Sequence, residues 1–171
     1  MQTTPEHLFV ILLALGANLP SVAGPPAATL RAALAALASE GVGVPAVSRL
    51  FVSPAWPDPL DPAFVNAVAR IETALSPRAL LEKLQTIEVR FGRQQGSRNA
   101  PRTLDLDILD YDNRIEIGPP ELPHPRLQDR AFVLVPLADV APDWVHPVRG
   151  RNVADLIAAL GGAERNVQVQ V

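Results

Sequence analysis

Two hydrophobic periods alternate along the chain and mark out its elements. The run LFVILLALG, Leu8 to Gly16, is almost continuously apolar. It is far shorter than the ~20 residues that span a bilayer, so a buried strand over Leu8–Leu15 is expected. Turn formers follow in GANLPSVAGPP. Pro25 and Pro26 suit a helix start, and Leu30, Leu34 and Leu37 recur at helical spacing until Gly41 and Gly43 stop the pattern. The stretch VPAVSRLFVS predicts a second strand, with Pro45 placing it at an edge or at a strand start. SPAWPDPLDP holds four prolines in ten residues and must be a loop.

AFVNAVARIET then alternates cleanly. Phe64, Asn66, Val68 and Arg70 share one strand face, and Val65, Ala67, Ala69 and Ile71 share the other. SPRALLEKLQTIEVRFG predicts a helix, with Ser76 as N-cap, Pro77 in the first turn and Gly92 at the end. A polar loop, RQQGSRNAPR, leads into the strand of PRTLDLDILDYD. Beyond Asn113 a short hairpin through RIEI is expected, then the loop GPPELPHPRLQDR, an apolar segment AFVLVPLADV and a helix from Val153 to Leu160. The order strand, helix, strand, strand, helix, strand is that of an α+β, ferredoxin-like βαββαβ core with an antiparallel sheet. The C-terminal residues add to it, and residues 1–171 form one expected domain.

Composition narrows the function. A hydrophobic content of 48% and a mean hydropathy of +0.15 describe a folded globule, not a disordered chain. The net charge of −3 gives no general affinity for nucleic acid. The absence of cysteine removes disulfides, thiolate nucleophiles and cysteine-ligated metals, and is compatible with a reducing cytoplasm. Glu6 and His7 precede the first apolar run where a secretory leader would carry basic residues, so neither a leader nor a membrane anchor is expected. No large apolar stripe is left exposed by the pattern, which favours a monomer.

The unusual feature is the pair of aspartates in that last strand. Asp105 and Asp107 project from one face, their Cα atoms about 6.5–7 Å apart, while Leu104, Leu106 and Ile108 take the other. Like charges so placed need a cation between them or a raised pKa. An arginine would serve, and so would a divalent metal; magnesium suits hard carboxylate oxygens completed by phosphates and water. A solvated strand face is the plainer reading. Arg90, Arg93, Arg98 and Arg102 fall in thirteen residues without an acid. They make either a solvated loop or a flexible polyphosphate grip with Gly96 and Ser97 as mobile points. His124, Arg126 and Arg130 form a further cationic group in a proline-bounded loop. Phe64 and Asn66 on one strand face, near Trp56, could stack and edge-read a flat heterocycle, or could be ordinary core residues. No P-loop, dinucleotide fingerprint, kinase catalytic loop, zinc-protease motif or nucleophile elbow is present.

LGANL, PRTLDLDIL and PHPRLQDRAFVLVPLADVAPDW, in that order, closely resemble the 6-hydroxymethyl-7,8-dihydropterin pyrophosphokinases of folate biosynthesis, from about Val10 to Leu160. The resemblance implies ATP-dependent pyrophosphate transfer to the pterin hydroxymethyl group with release of AMP, and a ferredoxin-like fold. It implies that Asp105 and Asp107 hold two Mg2+ ions. Arg93 and Arg102 would bind phosphates beside a mobile catalytic loop. Gln85, Glu88, Ile108, His124 and Arg130 would contact ATP. Asn66 would read the pterin edge, Phe64 and Phe132 would sandwich the ring, and Ser53, Ala55 and Trp56 would meet it from their loop. Dihydropteroate synthase is then the next pathway enzyme.

The chain departs from the well-known bacterial form in four places. Its catalytic loop is one residue shorter, Asn99 stands at a tryptophan position, Pro125 replaces an aromatic, and no arginine precedes the LPHP step. Two other readings use the same residues: a two-metal phosphohydrolase or nuclease acting through water, and a non-catalytic ferredoxin-like binding module.

Overall fold

Strand β1, Phe9–Ala17, is apolar on both sides because both of its sides are covered. Ile11, Leu13, Leu15 and Ala17 enter one core cluster, while Leu12 and Ala14 pack in a second on the opposite face. The computed structural model describes residues 9–94, 96, 100–162 and 166–170. Helix α1 (Pro26–Ser39) follows β1, then β2 (Gly43–Val47), β3 (Phe51–Ser53), β4 (Phe64–Thr73), α2 (Pro77–Arg90) and β5 (Asp105–Tyr111). Every pairing is antiparallel, in the order β5-β1-β4-β3, with β2 also on β4. This is the α+β, ferredoxin-like arrangement expected from the pattern. Two helices, α3 (Ala131–Val140) and α4 (Val153–Ala159), cover the second face, and a short strand, β6 (Gln168–Val169), lies against β3.

The helices α1 and α2 follow the sequence signals. Ser76 Oγ accepts a hydrogen bond from Ala79 N at 3.2 Å, and Pro77 occupies the first turn, where its missing N–H costs nothing. Leu80, Leu84 and Ile87 sink into the first cluster beside Leu30, Ala33 and Leu37 of α1. Leu84 is fully buried there. Leu84→Ala is expected to cost about 2–5 kcal/mol of unfolding free energy, the transfer loss plus the cavity left behind; a urea melt measures it.

Three expectations change. The second strand is two, because the chain leaves the ladder at Ser48–Leu50: Ser48 keeps its backbone bond to Val68 O at 2.9 Å, but its Oγ also takes the Val68 N–H at 3.0 Å. The RIEI stretch makes one isolated bridge, Glu116 with Leu122, rather than a hairpin of strands, after a turn in which Asp112 and Asn113 adopt φ of 51° and 57°. The segment AFVLVPLADV, which the pattern left unassigned, is helix α3 despite Pro136 inside it. Burial of Val133, Leu134 and Leu137 against β4 and α4 outweighs the lost backbone bond.

Candidate active site

The strand β5 answers the aspartate question in two halves. Leu104, Leu106 and Ile108 are buried in the first cluster, so Asp105 and Asp107 turn to the second face, where a cleft of about 650 Å³ opens. At Leu109 the pairing slips: Leu13 faces Ile108, while Leu12 faces Asp110. This bulge ends the alternation just past the cleft.

Asp105 is ion-paired twice, with Arg93 Nη1 on Oδ1 at 2.7 Å and Arg102 Nη1 on Oδ2 at 2.9 Å. The Arg93 guanidinium also donates to Glu88, whose Oε1 takes the Leu106 N–H at 2.7 Å. Glu88 is buried, and that burial pushes its pKa up to about 7 against the opposing pull of Leu106 N–H and Arg93. Asp107 has no ion pair or side-chain hydrogen bond among the described residues. Burial first, and Asp105 second, push its pKa up to about 6, offset in part by Arg130, Arg93 and Arg102. A carboxylate left with a raised pKa beside a second carboxylate is a position that a cation would stabilise.

Gly16 forms the floor. It lies opposite Asn66 in β4 and Asp105 in β5. A Cβ there would sit 3.4 Å from Asn66 Oδ1 and 3.9 Å from Phe64 Cδ1, so glycine keeps the space between amide and acid clear. Asn66 is buried, and its Nδ2 donates to Ser53 Oγ at 2.8 Å, which fixes the amide with its carbonyl towards Gly16. Phe64 borders the cleft from β4 and Phe132 from α3, with the Arg130 guanidinium 5.6 Å from the centre of the Phe132 ring. Ala55 is buried, and Trp56 is 66% exposed at the rim.

His124 enters from the proline-bounded loop, its N–H bonded to Leu109 O at 2.8 Å. Its Nδ1 accepts from Arg126 N at 3.2 Å, which leaves the proton on Nε2. Burial and then Arg130 lower its pKa to about 4, so the ring is a neutral donor at physiological pH. An unfolded histidine protonates near 6.5 while the native one waits until about 4. As pH falls through that window the unfolded chain takes up the proton first, and stability drops. His124→Gln is therefore expected to flatten the wild-type loss of unfolding free energy between pH 6.5 and 4, read from denaturant melts across that range.

Twelve of the expected residues border this one cleft: Ser53, Ala55, Trp56, Phe64, Asn66, Arg93, Arg102, Asp105, Asp107, His124, Arg130 and Phe132. Three do not. Gln85 is exposed on α2, Glu88 is buried behind Arg93, and the Ile108 side chain lies in the opposite core. Ser97, Arg98 and Asn99 lie outside the described residues.

Comparison with known proteins decides the family. Residues 12–142 match the family described as 7,8-dihydro-6-hydroxymethylpterin-pyrophosphokinase (HPPK). The chain belongs to that family. The 2-amino-4-hydroxy-6-hydroxymethyldihydropteridine pyrophosphokinase of Pseudomonas aeruginosa is 43% identical over 155 residues, 87% of this chain and 90% of that protein. The protein of the same name from Synechocystis is 39% identical over 155 residues, covering 90% and 77% of the two chains. Among solved structures, wild-type HPPK-DHPS of Plasmodium falciparum superposes with a TM-score of 0.69 at 14% identity, and this bears on the fold alone. The match covers 90% of this chain but only 41% of that longer one. As an HPPK, the chain is a pyrophosphokinase that transfers pyrophosphate to hydroxymethyldihydropterin in folate biosynthesis, with ATP as co-substrate.

The candidate site also depends on residues that pattern did not supply, one of them behind the cleft lining. Asn18, in the LGANL run, is buried and staples two loops: its Oδ1 takes the Arg102 N–H at 2.8 Å, and its Nδ2 donates to Pro62 O at 3.0 Å. Its only sequence signal is an asparagine just past an apolar strand. Asp129, Asn166 and Val167 also line the cleft, and nothing local in the sequence marks them.

Proposed function

We propose that this cleft joins the β-phosphorus of ATP to the hydroxymethyl oxygen of 6-hydroxymethyl-7,8-dihydropterin, with Mg2+ held by Asp105 and Asp107. The observation that carries the reading is Gly16, flanked in register by Asn66 on one strand and Asp105 on the other. One bare floor thus joins a heterocycle-reading amide to an acid pair suited to a metal-bound polyphosphate.

The donor set supports magnesium. Two hard carboxylates share one strand face, and no group of three or more metal-ligating side chains occurs among the described residues. Mg2+ is commonly held in this way, with substrate phosphates and water completing its shell. Two such ions, held by Asp105 and Asp107, would supply charge neutralisation for the triphosphate. Arg93 and Arg102, now shared with Asp105, turn their donors to phosphate oxygens when ATP is bound. His124 donates through Nε2, and Arg130 adds positive charge from the start of α3. Glu88 acts at one remove by holding Arg93. Gln85 and Ile108 border ATP only if the nucleotide reaches beyond the present cleft.

The pterin lies between Phe64 and Phe132, its edge on Asn66 and its other margin along Ser53, Ala55 and Trp56. Its hydroxymethyl oxygen attacks the β-phosphorus in line. The new O–P bond forms as the bond from the β-phosphorus to the α,β-bridging oxygen breaks, and AMP leaves with that electron pair. The hydroxyl proton passes to solvent water as the attack proceeds, and no side chain among the described residues is assigned as its base. One domain acting as a cytoplasmic monomer, delivering product to dihydropteroate synthase, completes the proposal.

Product analysis with Mg-ATP, with and without the pterin, tests it. AMP formed only with pterin is the expected result. ADP or free phosphate formed without pterin would favour a phosphohydrolase, and binding without turnover would favour a non-catalytic module.

A further inference from the structure

We propose that the C-terminal strand β6 walls the pterin end of the cleft and that Asn166 is a substrate-positioning residue. This rests on the assignment of Ser53, Phe64 and Asn66 to that end. Residues 166–170 lie beyond the stretch matched to the family, residues 12–142. They nevertheless return across the fold to the strand that feeds the cleft.

The β6 strand is antiparallel to β3, with Val169 opposite Phe51 and Gln168 opposite Val52. The Gln170 N–H donates to Leu50 O at 2.8 Å and secures the far end. This register carries the two preceding residues, Val167 and Asn166, towards Ser53 and Pro54. All four border the cleft, as the register requires. Val167 packs on the second apolar cluster, which anchors the segment. Asn166 is exposed, and its side chain has no hydrogen bond among the described residues.

The chemistry fits the pterin more than the phosphates. An amide offers one acceptor and two donors and no charge, which matches the donor and acceptor edge of a neutral heterocycle. Four charged groups of the cleft, Arg93, Arg102, Asp105 and Asp107, come from β5 and the loop before it, and Arg126, Asp129 and Arg130 come from the segment before α3, whereas β6 adds at β3, on the sheet edge away from β5. A plain edge cover would need the backbone pairing but no polar group facing the cleft.

Steady-state kinetics of full-length Asn166→Ala, Gln170→Pro and Asn66→Ala separate these cases. Gln170→Pro removes the N–H that bonds Leu50 O and so loosens β6 without touching the cleft-lining side chains. Asn166→Ala is expected to raise KM for the pterin roughly three- to tenfold, with KM for ATP and the thermal midpoint unchanged. Gln170→Pro should show the same split. If Asn66→Ala raises the pterin KM and the other two leave it unchanged, β6 is an edge cover and the inference fails while the pterin assignment stands. Equal rises in both KM values would also overturn it. If all three variants leave the pterin KM unchanged, the pterin assignment itself falls, and the inference with it.

Discussion

Asp107→Ala is expected to lower turnover by roughly a thousandfold or more while leaving the fold at least as stable. The two effects separate because Asp107 does no structural work. Its side chain holds no ion pair among the described residues, and burial together with the charge of Asp105 raises its pKa to about 6. A carboxyl whose native pKa lies above its unfolded value destabilises the native state progressively as pH rises between the two values, here from 3.8 to about 6. At neutral pH that penalty is fully present. Removing the group relieves it, so the thermal midpoint should hold or rise. Turnover should collapse because the strand then offers the metal-bound triphosphate one carboxylate instead of two. Asp107→Asn checks the same point with the volume kept. Near-normal turnover in either variant would defeat the metal assignment. Lost turnover together with a much lower melting point would show a structural role in place of it.

The elements that the sequence made legible are those whose burial is periodic. β4 alternates from Phe64 to Ile71 because one face meets α1 and α2 and the other meets α3 and the cleft. β5 could be placed because aspartates at every second position are costly unless something uses them. Capping and turn residues at Ser76, Pro77 and Gly92 set α2 almost to the residue. The helix α3 was not legible for a definite reason: a ten-residue apolar run has no polar face from which to read a period, and Pro136 argues against a helix. The break at Ser48 depends on a hydroxyl taking the Val68 N–H across the sheet, which no local pattern encodes.

The site shows the same division. Shared faces put Asp105 with Asp107 and Phe64 with Asn66, and these were readable from alternation alone. The meeting of those pairs depends on the strand order, in which β1 and its Gly16 come between β4 and β5. The arginines illustrate the limit most clearly. Their loop signalled anion binding, yet both also neutralise Asp105 in the free protein. Their partners are therefore exchangeable, and sequence spacing could not reveal that.

Arg102→Ala follows from that exchange and should slow the chemical step by about 10²–10³-fold with little change in pterin affinity. The backbone of Arg102 is fixed independently of its side chain. Its N–H donates to Asn18 Oδ1 at 2.8 Å, and its carbonyl accepts from Asn18 N at 3.1 Å and Leu19 N at 3.2 Å. Truncation leaves all three bonds in place. The side chain reaches Asp105 at 2.9 Å and Ala100 O at 3.2 Å, and Arg93 still neutralises Asp105 once it is gone. The free protein thus loses little, and under the proposed mechanism the loss is expected where negative charge moves onto departing AMP. Arg102→Lys should restore only part of the rate, because an ammonium keeps the charge without the planar two-donor fork. Rapid-quench single turnovers at saturating Mg-ATP and pterin isolate this step from product release. An unchanged single-turnover rate, or a rise in the pterin dissociation constant that accounts for the whole loss, would place Arg102 outside the transfer step.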